Sequence, residues 1–156
     1  MVHEEAARIA RGPVTDVKDI NVDDFDALFI PGGFGAAKNL CDFAIKGNEA
    51  DIDPDVTAVI QAFHGAQKPI GAVCIAPALL ALSLKKGTLT IGSDADTATA
   101  INSLGASHQD SPVTQAVIDP TNKIATAPAY MCDAPIHEVA QGIEAAVTAV
   151  LGMCAK

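Results

Sequence analysis

Apolar residues in this chain follow two rhythms. Short continuous runs, Ala27-Leu28-Phe29-Ile30 and Pro69-Ile70-Gly71-Ala72-Val73, stop abruptly at Pro31-Gly32-Gly33 and at Cys74. Runs of this kind predict strands buried on both faces of a sheet, here 26–30 and 69–74. Elsewhere apolar positions recur at helical spacing. Val56, Val59, Ile60 and Phe63 follow Pro54, a residue suited to a first helical turn. Ile136, Val139, Ile143, Val147, Val150 and Leu151 follow Pro135 in the same way. Helices are also predicted from about Ala76 to Leu84 and from Asp96 to Leu104, the second stopping at Gly105. Glu4 to Arg11 reads as the end of a helix closed by Gly12-Pro13, and Ala36 to Phe43 as short helical structure. Lys46 to Asp53 is polar and loop-like. Leu89-Thr90-Ile91 predicts a short strand, while Val113–Asp119 and Lys123–Thr126 alternate like a hairpin joined by Pro120-Thr121-Asn122. Strands alternating with helices predict an α/β fold, a doubly wound and mostly parallel sheet with helices on both faces. The helical opening departs from that pattern, in which the chain usually begins with a strand.

Length changes this picture little: 156 residues suit one domain, 1–156, with a sizeable core. Charge excludes more. The net charge of −9 disfavours nucleic acid and anionic membranes as partners, since both need clustered Lys and Arg. No apolar run is long enough for a membrane-spanning helix, and Met-Val-His-Glu-Glu-Ala-Ala-Arg lacks the apolar centre of a secretion signal. The expected protein is therefore not secreted. Cys41, Cys74, Cys132 and Cys154 form no C-x-x-C pair and have no His at ligand spacing, so no metal site is expected. Four cysteines could make two disulfides, but the composition is that of an intracellular α/β domain, so they are read as thiols.

Candidate chemistry centres on Cys74. It ends a strand and is followed at once by helical sequence, the arrangement of a nucleophile elbow with a thiol in place of a hydroxyl. Such a turn lifts the sulfur out of the sheet and aims the positive end of the next helix at it, which favours thiolate. A small core cysteine in a buried strand is the alternative the segment leaves open. Pro31-Gly32-Gly33-Phe34-Gly35 follows the other buried strand, so in a doubly wound sheet the two loops share the carboxyl end where ligands bind. The amides of Gly33 and Ile75 could then form an oxyanion hole. A glycine-rich turn with only a folding role is the competing reading. The spacing is neither a dinucleotide fingerprint nor a phosphate-binding loop. Gly32, Phe34, Asp94 and Tyr130 are candidates for lining the same site. For Asp94 or Asp96, a helix N-cap role competes with lining. His64 lies on the helix before the Cys74 strand and points to the far end. His108 and His137 have no spacing that demands catalysis.

Together these segments resemble the PfpI-like superfamily, which shares its fold with class I glutamine amidotransferases. Within it the chain is similar to the ElbB-type glyoxalase branch and its mitochondrial amidotransferase-like relatives. The likeness rests on residues 5–12 and on Phe25-Asp-Ala-Leu-Phe-Ile-Pro-Gly-Gly-Phe-Gly-Ala-Ala-Lys-Asn-Leu40. Lys68-Pro-Ile-Gly71, Cys74-Ile-Ala-Pro77 and Pro128-Ala-Tyr-Met131 extend it over essentially the whole chain. The resemblance implies a flavodoxin-like fold, usually dimeric, with Cys74 as nucleophile and Gly33 and Ile75 as oxyanion donors. It implies cofactor-free conversion of small reactive aldehydes such as glyoxal to hydroxy acids, or deglycation. It also implies a mitochondrial matrix location, with a bacterial-type cytoplasm as the alternative.

Two departures stand against a full transfer of that activity. Ile75 occupies the place of the His that follows the cysteine in protease-like relatives, which argues against a Cys-His dyad. The acid that bonds the thiol in the family belongs to a first strand with no counterpart here, so an N-terminally incomplete domain is expected. Two further readings follow. One is a catalytically inactive structural or accessory subunit, a homodimer or part of a larger assembly that covers the exposed sheet. The other is a redox sensor in which Cys74 is oxidised.

Overall fold

Residues 2–154 are described by a computed structural model. Three parallel strands form the centre of the molecule: β1 (Leu28–Ile30), β2 (Ile70–Val73) and β6 (Ile124–Ala127). With β5 (Val117–Asp119) antiparallel to β6 they make a four-stranded sheet in the order β1-β2-β6-β5. Leu28 pairs with Ile70, and Ile70 with Ile124, so every parallel contact joins distant segments. A small second sheet pairs β3 (Thr88–Leu89) with β4 (Ser107–His108) in parallel.

Strand β2 explains the layers. All four of its residues are buried, as a strand covered on both faces requires. Ile70 and Ala72 enter one core with Val59, Ile60 and Phe63 of α3 (Pro54–Gly65) and Leu79 and Leu80 of α4 (Pro77–Leu84). Val73 faces the other way, into a smaller core with Ala127 and with Val139 and Ala146 of α6 (Ile136–Met153). This is the expected flavodoxin-like architecture, a mixed but mainly parallel sheet between helices.

The remaining helices are α1 (Val2–Ala10), the single-turn α2 (Phe43–Lys46) and α5 (Ala95–Ser103). Helix α1 is solvated on nearly every side, with Ile9 72% exposed. Between β1 and α2 the predicted short helix is a π-helical turn, Ala36–Leu40. The predicted strand over 113–119 shortens to Val117–Asp119. Gln115 N–H donates to the Pro112 carbonyl to form a turn, and α6 presses on Val113 so closely that a Cβ at Gly142 would meet its carbonyl oxygen at 2.0 Å.

Two polar devices fix the strand ends remote from the site. Lys68 Nζ donates to the carbonyls of Val22 and Phe25 (2.7 and 2.6 Å), tying the approach to β1 against the approach to β2. Asp119 accepts from Thr88 N–H, Asn122 N–H and Asn122 Nδ2 at 2.9, 3.0 and 2.7 Å. Burial pushes the Asp119 carboxyl up. The Asn122 side chain and the amides of Thr88, Asn122 and Thr121 outweigh burial and hold it below the usual carboxylate range.

The accessible surface is 8474 Å². A compact monomer of 15.9 kDa exposes about 7,400 Å², so roughly 1,100 Å² is in excess. Part of it is apolar. Helix α6 buries Val139, Gly142, Ala146 and Val150 but leaves the neighbouring stripe of Ile136, Val147 and Leu151 exposed. Strand β1 lies at the edge of the sheet, only half buried.

Candidate active site at the Cys74 elbow

Cys74 adopts φ +61°, left-handed backbone that costs a non-glycine residue about 1–2 kcal/mol. Three contacts impose it. Its N–H donates to the Ala127 carbonyl at 3.1 Å, continuing the β2–β6 ladder one residue past the strand. Ala76 N–H donates to Val73 O at 3.1 Å and closes the turn. Pro77 then starts α4, a helix whose residues from Pro77 through Ser83 are all buried and which therefore cannot shift. The result is a half-exposed thiol at the head of a helix, as expected of a nucleophile elbow.

The glycine loop after β1 leans on this turn. Gly32 has φ +83°, and a Cβ there would stand 2.5 Å from Val73 O and 2.9 Å from Cys74 Cβ. Only glycine allows both that conformation and that approach. Gly33 also has positive φ (+84°), but a Cβ there would meet nothing, because the residue borders open space. Among the described residues, neither the Gly33 nor the Ile75 amide donates a hydrogen bond. Both residues line one cavity with Cys74. Two uncommitted N–H groups beside a nucleophile are the components of an oxyanion hole.

The cavity has a volume of about 940 Å³ and is open to solvent. Its walls come from the loops after β1, β2 and β6, the carboxyl ends of three parallel strands, as the topology of such sheets requires. Gly32, Gly33, Phe34, Cys74, Ile75 and Tyr130 all line it, as the sequence suggests. Phe34 and Tyr130 are 70% and 64% exposed and stand at its mouth. Lys38 Nζ lies 4.8 Å above the Phe34 ring, a cation–π contact.

Asp94 is placed elsewhere. Its carboxylate accepts from Thr97 N–H at 2.8 Å and caps α5, and these bonds to Thr97 hold its pKa low. Asp96, two residues on, lines the cavity instead, beside Thr97 and Ala100. Phe43, Met131 and Ile143 join the wall from α2, from the turn after β6 and from α6. Local sequence gives no signal for these three, because they arrive by packing. Ala129, also on the wall, has φ +45°, a second non-glycine residue held in left-handed backbone at this site.

No histidine lines the cavity among the described residues. His64 Nε2 lies 3.4 Å from Asn122 Oδ1, near the amino ends of β2 and β6. His108 Nε2 accepts from Ile91 N–H at 3.3 Å while its Nδ1 faces Asp110 at 3.5 Å, which makes it a buried structural bridge. His137 is exposed next to Glu138. The site therefore has no Cys-His dyad in these residues.

The other thiols are placed differently. Cys41 is buried, bonds the Ala36 carbonyl at 3.4 Å, and has its pKa raised by burial. Burial raises that of Cys132 too. All four cysteines are free. Among the described residues no cluster of His, Cys, Asp and Glu could hold a metal ion, and no helix is long and apolar enough to cross a membrane.

Comparison with known proteins agrees with this fold. The model of the DJ-1/PfpI family matches residues 12–132. The rat protein named ES1 protein homolog, mitochondrial, is 43% identical, and the alignment covers 97% of this chain and 60% of the rat protein. The human glutamine amidotransferase-like class 1 domain-containing protein 3, mitochondrial, has the same identity and coverage. The chain thus spans about 60% of the length of these curated relatives. Among solved structures, an isoprenoid biosynthesis protein with amidotransferase-like domain from Ehrlichia chaffeensis superposes with a TM-score of 0.88 at 37% identity. That match covers 97% of this chain and 70% of the other.

Proposed function

The chain belongs to the DJ-1/PfpI family, and on that premise we propose that it is a cofactor-free enzyme acting on small reactive carbonyl compounds through Cys74, of the glyoxalase or deglycase type. One observation carries the reading: Cys74 is held at φ +61° at the head of α4, in a cavity shared with the uncommitted amides of Gly33 and Ile75.

The chemistry runs as follows for a 2-oxoaldehyde. The Cys74 sulfur adds to the aldehyde carbon, and the carbonyl oxygen takes up a proton to give a hemithioacetal. In the transition state that oxygen carries negative charge, which the Gly33 and Ile75 amides stabilise. A base removes the proton from the hemithioacetal carbon, and the enediol that forms is reprotonated at the neighbouring carbon. The product is a 2-hydroxy thioester. Water cleaves it to the hydroxy acid and regenerates the thiol, so one water is consumed and no external oxidant or reductant enters. We place the protein in the mitochondrial matrix, on the strength of two similar relatives whose names include that compartment.

The test is turnover of methylglyoxal to lactate by the purified protein and by Cys74→Ala. Rates that are equal and no faster than buffer would remove the enzymatic reading.

A second reading, a non-catalytic subunit, is supported by the bare stripe of Ile136, Val147 and Leu151 on α6. Stable association with a second copy or a larger assembly, without turnover, is its expected signature.

A further inference from the structure

The wall of the Cys74 cavity is apolar over most of its area: Phe34, Phe43, Val73, Ile75, Met131 and Ile143 contribute to it. Among the described residues no Lys, Arg or His lines it, and Asp96 is its one charged residue. Lys38 stacks on Phe34 at the mouth and is not itself part of the wall. We propose that this cavity takes an uncharged carbonyl compound bearing an apolar substituent, and that Asp96 excludes anionic ones. The proposal rests on Cys74 being the reacting group, and it names the substrate class of that site.

The argument has two parts. An anionic substrate would give up part of its hydration against mostly apolar walls, with no cation lining them to pair it. The Asp96 carboxylate, exposed on the cavity wall, adds a solvent-screened repulsion that salt weakens. The free amides of Gly33 and Ile75 do not reverse this, because they serve the charge that develops on the reacting oxygen. The volume points the same way. About 940 Å³ lies at the upper end of the range for small-molecule sites and far exceeds what a two- or three-carbon aldehyde fills. A substrate with an apolar body uses the Phe43, Met131 and Ile143 walls, and a bare aldehyde leaves them wet.

The test reads selectivity without needing turnover. Second-order alkylation of Cys74 is followed by peptide mass spectrometry with iodoacetate, iodoacetamide and N-benzyliodoacetamide, each rate divided by that of N-acetylcysteine. Cys154, half-exposed and outside the cavity, is the reference thiol on the same chain. At Cys74 the anionic reagent should lag the neutral one by about tenfold more than at Cys154, and the benzyl reagent should lead by severalfold. Asp96→Asn should shrink the anionic handicap to about threefold. Should that variant misfold, high salt on the unaltered protein must narrow the handicap in the same direction. Equal normalised rates for charged and uncharged reagents, or a handicap indifferent to both Asp96→Asn and salt, would overturn the proposal. Asp96→Asn abolishing methylglyoxal turnover while leaving the handicap intact would make Asp96 a proton-transfer group instead, and would equally overturn it. Because alkylation needs no catalysis, loss of the enzymatic reading alone leaves this result standing, and the reverse also holds.

Discussion

Gly32 and Cys74 hold each other in place: the glycine lies so near the elbow that a methyl group on it would sit 2.9 Å from the cysteine Cβ. The turn that carries the sulfur and the Gly32-Gly33 loop are thus one packed unit.

Gly32→Ala forces the new methyl against Val73 O and requires an alanine at φ +83°. The expected cost is about 2–3 kcal/mol, a fall in Tm of about 5–10 °C for a chain of this size. Gly33→Ala meets no atom and has only its φ to bear, so calorimetry should show about half the loss or less.

Cys74→Gly should raise stability while removing the thiol. Relief of the left-handed conformation is worth about 1 kcal/mol, or about 2–4 °C in Tm. Cys74→Ala keeps the strained backbone and should melt close to the unaltered protein. A Cys74→Gly variant no more stable than Cys74→Ala would show that the elbow stores no strain.

Among the four thiols, Cys74 should be alkylated before Cys41 and Cys132. Burial shields Cys41 and raises the pKa of both, so fewer thiolates are present at neutral pH. Peptide mapping after a brief exposure to iodoacetamide gives the order. Peroxide titration read the same way addresses oxidation, and uniform oxidation of all four would leave no case for a sensor.

Acid should weaken the fold in part through Asp119. Its folded pKa is depressed, so its contribution is fully present above the ordinary carboxylate value of about 3.9 and is lost as pH falls through the folded value. Asp119→Asn should therefore lower Tm near neutrality by an amount reflecting about 2 kcal/mol of charge-assisted hydrogen bonds. It should also flatten the acid limb of the Tm–pH curve. Parallel acid limbs in the two proteins would contradict this.

Much of the architecture was legible because helical period and buried runs are local signals. Pro54 and Pro77 sit at helix starts, and the elbow follows from a strand, a cysteine and a helix in succession. The same locality explains what was not legible. Asp94 and Asp96 look equivalent in sequence. Only the backbone shows that Asp94 turns back to the Thr97 amide while Asp96 is left to the cavity wall. Ile143 lies far from Cys74 in the chain and reaches its cavity because α6 packs across β2 and β6. The shortening of β5 depended on α6 pressing against Val113, a contact no local pattern encodes.

The bond from Cys74 N–H to the Ala127 carbonyl has a consequence for the order of events during synthesis. The thiol is translated before β6, whose pairing with β2 supplies the carbonyl its backbone bonds. Contacts between such distant segments form slowly, because long loops must close first. A nascent chain ending before residue 127 has the local Ala76–Val73 turn bond but lacks the carbonyl that extends the β2–β6 ladder to Cys74. The elbow is therefore completed from far downstream, by the same segment that brings Ala129, Tyr130 and Met131 to the cavity wall.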